Sequence, residues 1–150
     1  VARTVESQKE SLLDVIPVHQ QNAEVMPRNH LAKTAVACAA ALPIKAIITS
    51  TNAGITARIC ASYRGRSPIL ALSEKMSTVR QLSLSYGVYS SKIDMPVTTD
   101  ELVKVCLLKM IEEKKIAQND LIVFIGGGHQ NEAQHTNMIL IETPAVLLKQ

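Results

Sequence analysis

Aromatic residues are nearly absent from this 150-residue sequence, which has no Trp, one Phe and three Tyr. Proteins that grip single-stranded nucleic acid stack bases on aromatic side chains, and here there are too few for that. Charge of one sign is lacking too. Sixteen Lys and Arg stand against thirteen Asp and Glu, a formal net charge of +3, and the basic residues are scattered, with Lys114 and Lys115 the one adjacent pair. With neither a basic stripe nor stacking rings, no nucleic-acid partner is expected. Cysteine is scarce and odd in number. Cys38, Cys60 and Cys106 each sit in an apolar helical pattern, whereas a disulfide framework calls for even numbers. They are expected as small buried hydrophobes in a reducing, cytoplasmic compartment. No apolar run approaches the roughly 18 residues of a membrane span, and the polar start is unlike a signal peptide, so no membrane contact is expected. The first residue is Val1 and not Met, which predicts a fragment of a longer protein.

What is present describes a globular domain. Hydrophobic residues make up 47% and charged residues 19%, and a chain of this length buries about two-thirds of its unfolded surface. Residues 1–16 carry a partial helical face at Val1, Val5, Leu12, Val15 and Ile16. A polar connection bracketed by Pro17 and Pro27 follows. Asn29 then offers an N-cap for an alanine-rich helix that Pro43 stops. Residues 1–43 are thus expected to form leading helices, and residues 44–150 an alternating β/α core.

In that core, strand patterns KAIITS, SPILALS and VYSSKI alternate with helical patterns GITARICASYR, MSTVRQLSLSYG and TTDELVKVCLLKMIEEKK. The long helix opens on a capping box, Thr98-x-x-Glu101. DLIVFIGGG is a fourth strand, apolar throughout as for a strand buried on both faces. NMILIET is a fifth. Strands separated by helices predict a parallel sheet with right-handed crossovers, an α/β fold. The last connection has no helical pattern, so the fifth strand is expected to run antiparallel.

Ligands of open α/β sheets bind at the carboxyl ends of strands, near the point where strand order reverses. The first strand leaves through TSTNAGIT. A helix N-terminus there offers free N–H groups and partial positive charge to an anion. Thr51, Asn52 and Thr56 add neutral hydrogen bonds, and Gly54 permits close approach. The same composition also suits a plain turn in which Thr51 or Asn52 caps the helix. Neither the dinucleotide fingerprint nor the Walker loop is matched. The second candidate, Gly126, Gly127, Gly128 and His129, reads either as a permissive connection or as a lid over the first loop. His129, Glu132 and His135 fit no metal-ligand spacing, so no metal is expected. No nucleophile with a paired base is visible, and no catalytic residue is assigned.

The string AIITSTNAGITARICASYRGRSPI, Ala46 to Ile69, resembles the C-terminal domain of pyruvate kinase in Gly54, Thr56, Ala57, Arg58, Tyr63, Arg64, Pro68 and Ile69. Thr136-Asn137-Met138 and the AVACAAAL lead-in have the family's form too. The resemblance implies a three-layer α/β/α fold with a five-stranded mixed, mostly parallel sheet whose last strand is antiparallel. It implies a full-length enzyme that moves a phosphoryl group between phosphoenolpyruvate and ADP with Mg²⁺ or Mn²⁺ and K⁺. That active site lies in a (β/α)₈ barrel outside this chain, so the fragment itself is expected to be inactive and to hold no cofactor. The family's domain carries an allosteric sugar-phosphate site and subunit contacts of a homotetramer.

The family's phosphate loop corresponds to Thr51, Asn52, Gly54, Ile55 and Thr56, closed over by Gly126, Gly127, Gly128 and His129. Several departures from the family pattern matter. Ala53 replaces a serine, and Ile55 stands where a basic residue is often found. Leu102 occupies the position expected for the Arg that holds a second phosphate, no Trp is present, and Glu132 brings negative charge. A charge-assisted Arg–phosphate bond is worth about 1.5–3 kcal/mol. Without one, a monophosphate effector (a sugar phosphate or nucleoside monophosphate) is expected over fructose 1,6-bisphosphate. The alternatives are an effector-free module used for oligomer contacts and a free-standing enzyme on the same fold.

Overall fold

The computed structural model describes residues 25–94, 96, 98–127 and 136–149. Among these, the order is α1 (Val25–Ala41), β1 (Ala46–Ser50), α2 (Ile55–Ser62), β2 (Ile69–Ser73), α3 (Met76–Leu82), β3 (Val88–Lys92), α4 (Thr99–Glu112), β4 (Ile122–Gly126), β5 (Met138–Glu142) and α5 (Pro144–Leu147). The partial helical face predicted over residues 1–16 lies outside the described residues.

The five strands form one sheet in the order β3-β2-β1-β4-β5. β1 pairs in parallel with β2 and β4, and β2 with β3, while β5 runs antiparallel to β4. The parallel core and the reversed last strand follow the expected pattern. Alternate residues of the central strands face opposite layers. Ile47, Ile69, Ala71, Val123 and Ile125 pack with the buried residues of α1, α2 and α3. Ala46, Ile48, Leu70, Leu72, Ile122 and Phe124 pack with α4 and Leu147 of α5. The chain winds outward through β1, β2 and β3 with its helices on one face. It then returns past β1 to β4 with α4 on the other face, as crossovers of a single hand require. The result is three layers with two apolar cores.

Two helix boundaries differ from expectation. α1 covers Val25–Ala41, so Asn29 lies inside it and does not cap it, and Pro27 lies inside it as well. α3 ends at Leu82, well short of Gly87, and the chain turns through Ser83–Gly87 before β3, with Gly87 at φ 65°. α4 keeps its predicted cap, with the Thr98 hydroxyl accepting from the Glu101 N–H at 3.3 Å. Near its end Lys109 pairs with Glu112 and Glu113 at 3.4 and 3.5 Å.

Candidate functional site

In this strand order, β1 has β2 and β3 on one side and β4 and β5 on the other, so the sheet's switch point lies between β1 and β4. The loop leaving β1 therefore opens at the position where such sheets bind ligands. Its start is clamped, since the Thr51 N–H donates to the Leu72 carbonyl at 2.9 Å.

Three successive loop carbonyls are then occupied. The Thr78 hydroxyl donates to Asn52 O at 2.8 Å, Arg58 Nη2 to Ala53 O at 2.7 Å and the Arg58 N–H to Gly54 O at 3.1 Å. Gly54 has φ 76° and is itself the N-cap of α2. A side chain there would be strained, and a Cβ would come within 3.0 Å of Leu82 Cδ2. The Thr51 hydroxyl accepts from the Gly54 N–H at 2.9 Å. Thr51 thus closes the turn before the helix, and no side chain caps α2. Neither Thr51 nor Asn52 serves as the helix cap that a plain turn would use. The first N–H groups of α2, at Ile55, Thr56 and Ala57, precede any intrahelical partner.

Thr51 and Thr56 are buried, at 7% and 4% exposure, while Ile55 stands 42% exposed beside them. The Thr56 and Thr136 hydroxyls lie 2.8 Å apart in a buried contact that bridges the switch point. At the end of β4, the Gly126 carbonyl accepts from the Asn137 N–H at 3.0 Å, and a Cβ on Gly126 would meet the Phe124 ring at 2.9 Å and Ser50 Oγ at 3.3 Å. Gly127 follows; Gly128 and His129 lie outside the described residues, as do Glu132 and His135. Of the predicted site, the structure thus brings Thr51, Asn52, Gly54, Ile55, Thr56 and Gly126 to one end of the sheet.

Sequence reasoning did not assign Ser50, Thr78 or Thr136 to this site. Thr78 and Thr136 are hydroxyl residues on other elements, and only the closed sheet shows their contacts. Leu102 is 2% exposed and belongs to the core beneath α4. Its side chain faces the sheet, so it is not a surface position vacated by an arginine. A cavity of about 160 Å³ lies elsewhere, lined by Asp100, Val103, Lys104, Leu140 and Leu147.

Cys60 and Cys106 are buried free thiols and Cys38 is half-buried. Burial pushes both buried thiols up to about 12, so they stay protonated and are not nucleophiles. Among the described residues, no group of three His, Cys, Asp or Glu could hold a metal ion, and no helix is long and apolar enough to cross a membrane.

The fold and this loop define an α/β domain with an uncapped helix start at its switch point and no catalytic constellation among the described residues. The family described as pyruvate kinase, alpha/beta domain, matches residues 29–142, and the chain belongs to it. It is similar to the pyruvate kinase of Clostridium acetobutylicum (35% identical over 104 residues, 69% of this chain and 22% of that protein). It is also similar to those of Borreliella burgdorferi (34% over 118 residues, 77% and 25%) and Geobacillus stearothermophilus (26% over 135 residues, 90% and 23%). The chain spans about a quarter of the length of these relatives.

Proposed function

We propose that this chain is the regulatory and subunit-assembly domain of a glycolytic pyruvate kinase, a cytoplasmic homotetramer. The catalytic barrel, with its Mg²⁺ or Mn²⁺ and K⁺, belongs to the part of the enzyme outside this chain. Among the described residues, no group of three His, Cys, Asp or Glu could hold a divalent ion. In this proposal the 51–56 loop binds a phosphorylated effector, and binding shifts the packing of domains and subunits and so the substrate affinity of the barrel.

The observation that carries the effector site is the uncapped start of α2. The loop's carbonyls are tied to Thr78 and Arg58, Thr51 is used on the turn, and the first helical N–H groups have no side-chain acceptor. An anion supplies what is missing. The loop residues 51–56 include no cation, which favours a single phosphate over a bisphosphate. The exposed Ile55 in place of a basic residue also favours a second reading, a degenerate pocket in a module that serves oligomer contacts alone.

Thermal melts of the intact protein separate the two. At about 100 times its dissociation constant, a ligand adds about 2.7 kcal/mol of stability, or roughly 5–11 °C for a domain of this size. Ribose 5-phosphate, glucose 6-phosphate or AMP is expected to give such a shift, fructose 1,6-bisphosphate no larger one, and Thr56→Ala to abolish it. No shift with any of these or with sulfate at millimolar concentration supports the effector-free module.

A further inference from the structure

On α4, Lys109 and Glu113 stand one helical turn apart and pair at 3.5 Å. Asp100 and Lys104 have the same spacing on the same helix, in the more favourable order with the acid on the N-terminal side. Yet among the described residues neither side chain makes an ion pair or a hydrogen bond. Both instead line the cavity of about 160 Å³ whose other walls are Val103, Leu140 and Leu147. Leu147 comes from α5, which falls beyond the 29–142 segment that the family matches. α5 is held in place by the Ala145 N–H, which donates to the Gln118 carbonyl at 2.9 Å, and by Leu147, which packs into the core beneath α4. Val103 and Leu147 are buried, Leu140 and Lys104 half-buried and Asp100 exposed. The buried part of the lining is thus apolar and the exposed part charged. None of the loop residues 51–56 lines this space.

We propose that this cavity binds a free α-amino acid with a compact apolar side chain. Two unpaired charges of opposite sign above an apolar floor call for a ligand that carries both signs and an apolar body. A simple anion or cation would satisfy one of the two side chains and be repelled by the other. An α-amino acid brings an ammonium for the Asp100 carboxylate and a carboxylate for the Lys104 ammonium, each a charge-assisted hydrogen bond. Its side chain then covers Val103, Leu140 and Leu147. A cavity of about 150 Å³ holds benzene, so there is room here for a small branched side chain with the polar ends at the rim. This site is independent of whether the 51–56 loop binds phosphate.

The test is isothermal titration of L-leucine into the intact protein, with two paired probes: isocaproate, which lacks the amine, and leucinamide, which lacks the carboxylate. Leucine is expected to bind saturably at millimolar concentration, and each probe about tenfold more weakly or worse. Glycine, with nothing to lay on the apolar floor, is expected to bind more weakly than leucine. In Asp100→Asn, leucine should weaken to the level of isocaproate, and isocaproate should lose nothing further. In Lys104→Met, the same should hold for leucine and leucinamide. Thr56→Ala should bind leucine as the wild type does. Absence of saturable leucine binding to the wild-type protein overturns the proposal. So does either probe binding as tightly as leucine, which makes the cavity an unselective apolar site. Leucine affinity unchanged in both charge variants, or lost in Thr56→Ala, places the amino acid elsewhere and overturns it too. Should a charge variant not fold, the probe comparison on the wild-type protein decides alone.

Discussion

Gly54→Ala probes the loop's geometry through a cost that can be worked out term by term. Gly54 has φ 76°, and an L-residue in that left-handed region is strained by about 1–2 kcal/mol. Its added Cβ would sit 3.0 Å from Leu82 Cδ2 and 3.2 Å from both Leu82 Cγ and Arg58 Nη1. Overpacking of a buried contact costs about 1–3 kcal/mol, toward the low end here because the contacts are side-chain atoms. Against these stands a gain of about 0.4–1 kcal/mol from a stiffer unfolded chain. The net is a loss of about 1–3 kcal/mol, a fall of roughly 3–10 °C in melting temperature.

Gly87→Ala is the internal control. Gly87 has φ 65° but nothing within 4 Å of its Cβ position, so it carries the strain without the contact. Its expected loss is about 1 kcal/mol or less. Urea unfolding of both variants, read for midpoint and slope, measures the difference. Equal losses, or a larger one at Gly87, would refute the packing of Leu82 against the loop.

Thr98→Ala should cost about 1 kcal/mol through the lost α4 cap, with Thr98→Ser near wild type, both checked by denaturant unfolding. Leu102→Arg, introduced to supply a second phosphate anchor, should instead destabilise the fold by several kcal/mol without conferring fructose 1,6-bisphosphate binding, because the side chain is in the core. Cys60 and Cys106 have thiols raised from 9.0 to about 12 in the folded state. Their contribution to stability is complete below pH 9 and is lost as pH rises toward 12, because the unfolded chain ionises first. Each contributes a slope of about 1.4 kcal/mol per pH unit in that window, which Cys60→Ala or Cys106→Ala should remove.

The sheet was legible because its strands are short apolar runs separated by helical periods, and the lack of a helical sequence pattern before Met138 pointed to the antiparallel β5. The extent of α1 was not, since Pro27 and Asn29 resemble a boundary and both lie inside the helix. The loop's residues were legible, but not the division of labour that leaves α2 uncapped, because a Thr or Asn before a glycine suits a turn or a cap equally well. Leu102 could have been placed from the sequence. It shares the buried stripe of Val103, Cys106, Leu107 and Met110, spaced as one helix face. Thr136 is a different matter, since its partner is set by the closed sheet and no local period encodes a contact over 80 residues.

The central claim is that the uncapped start of α2 binds one phosphate. Isothermal titration of ribose 5-phosphate into the intact protein tests it most directly. One site per chain is expected, lost in Thr56→Ala, with fructose 1,6-bisphosphate binding no more tightly than the monophosphate. Absence of binding to the wild-type protein at millimolar ligand, or binding that survives Thr56→Ala unchanged, would contradict it.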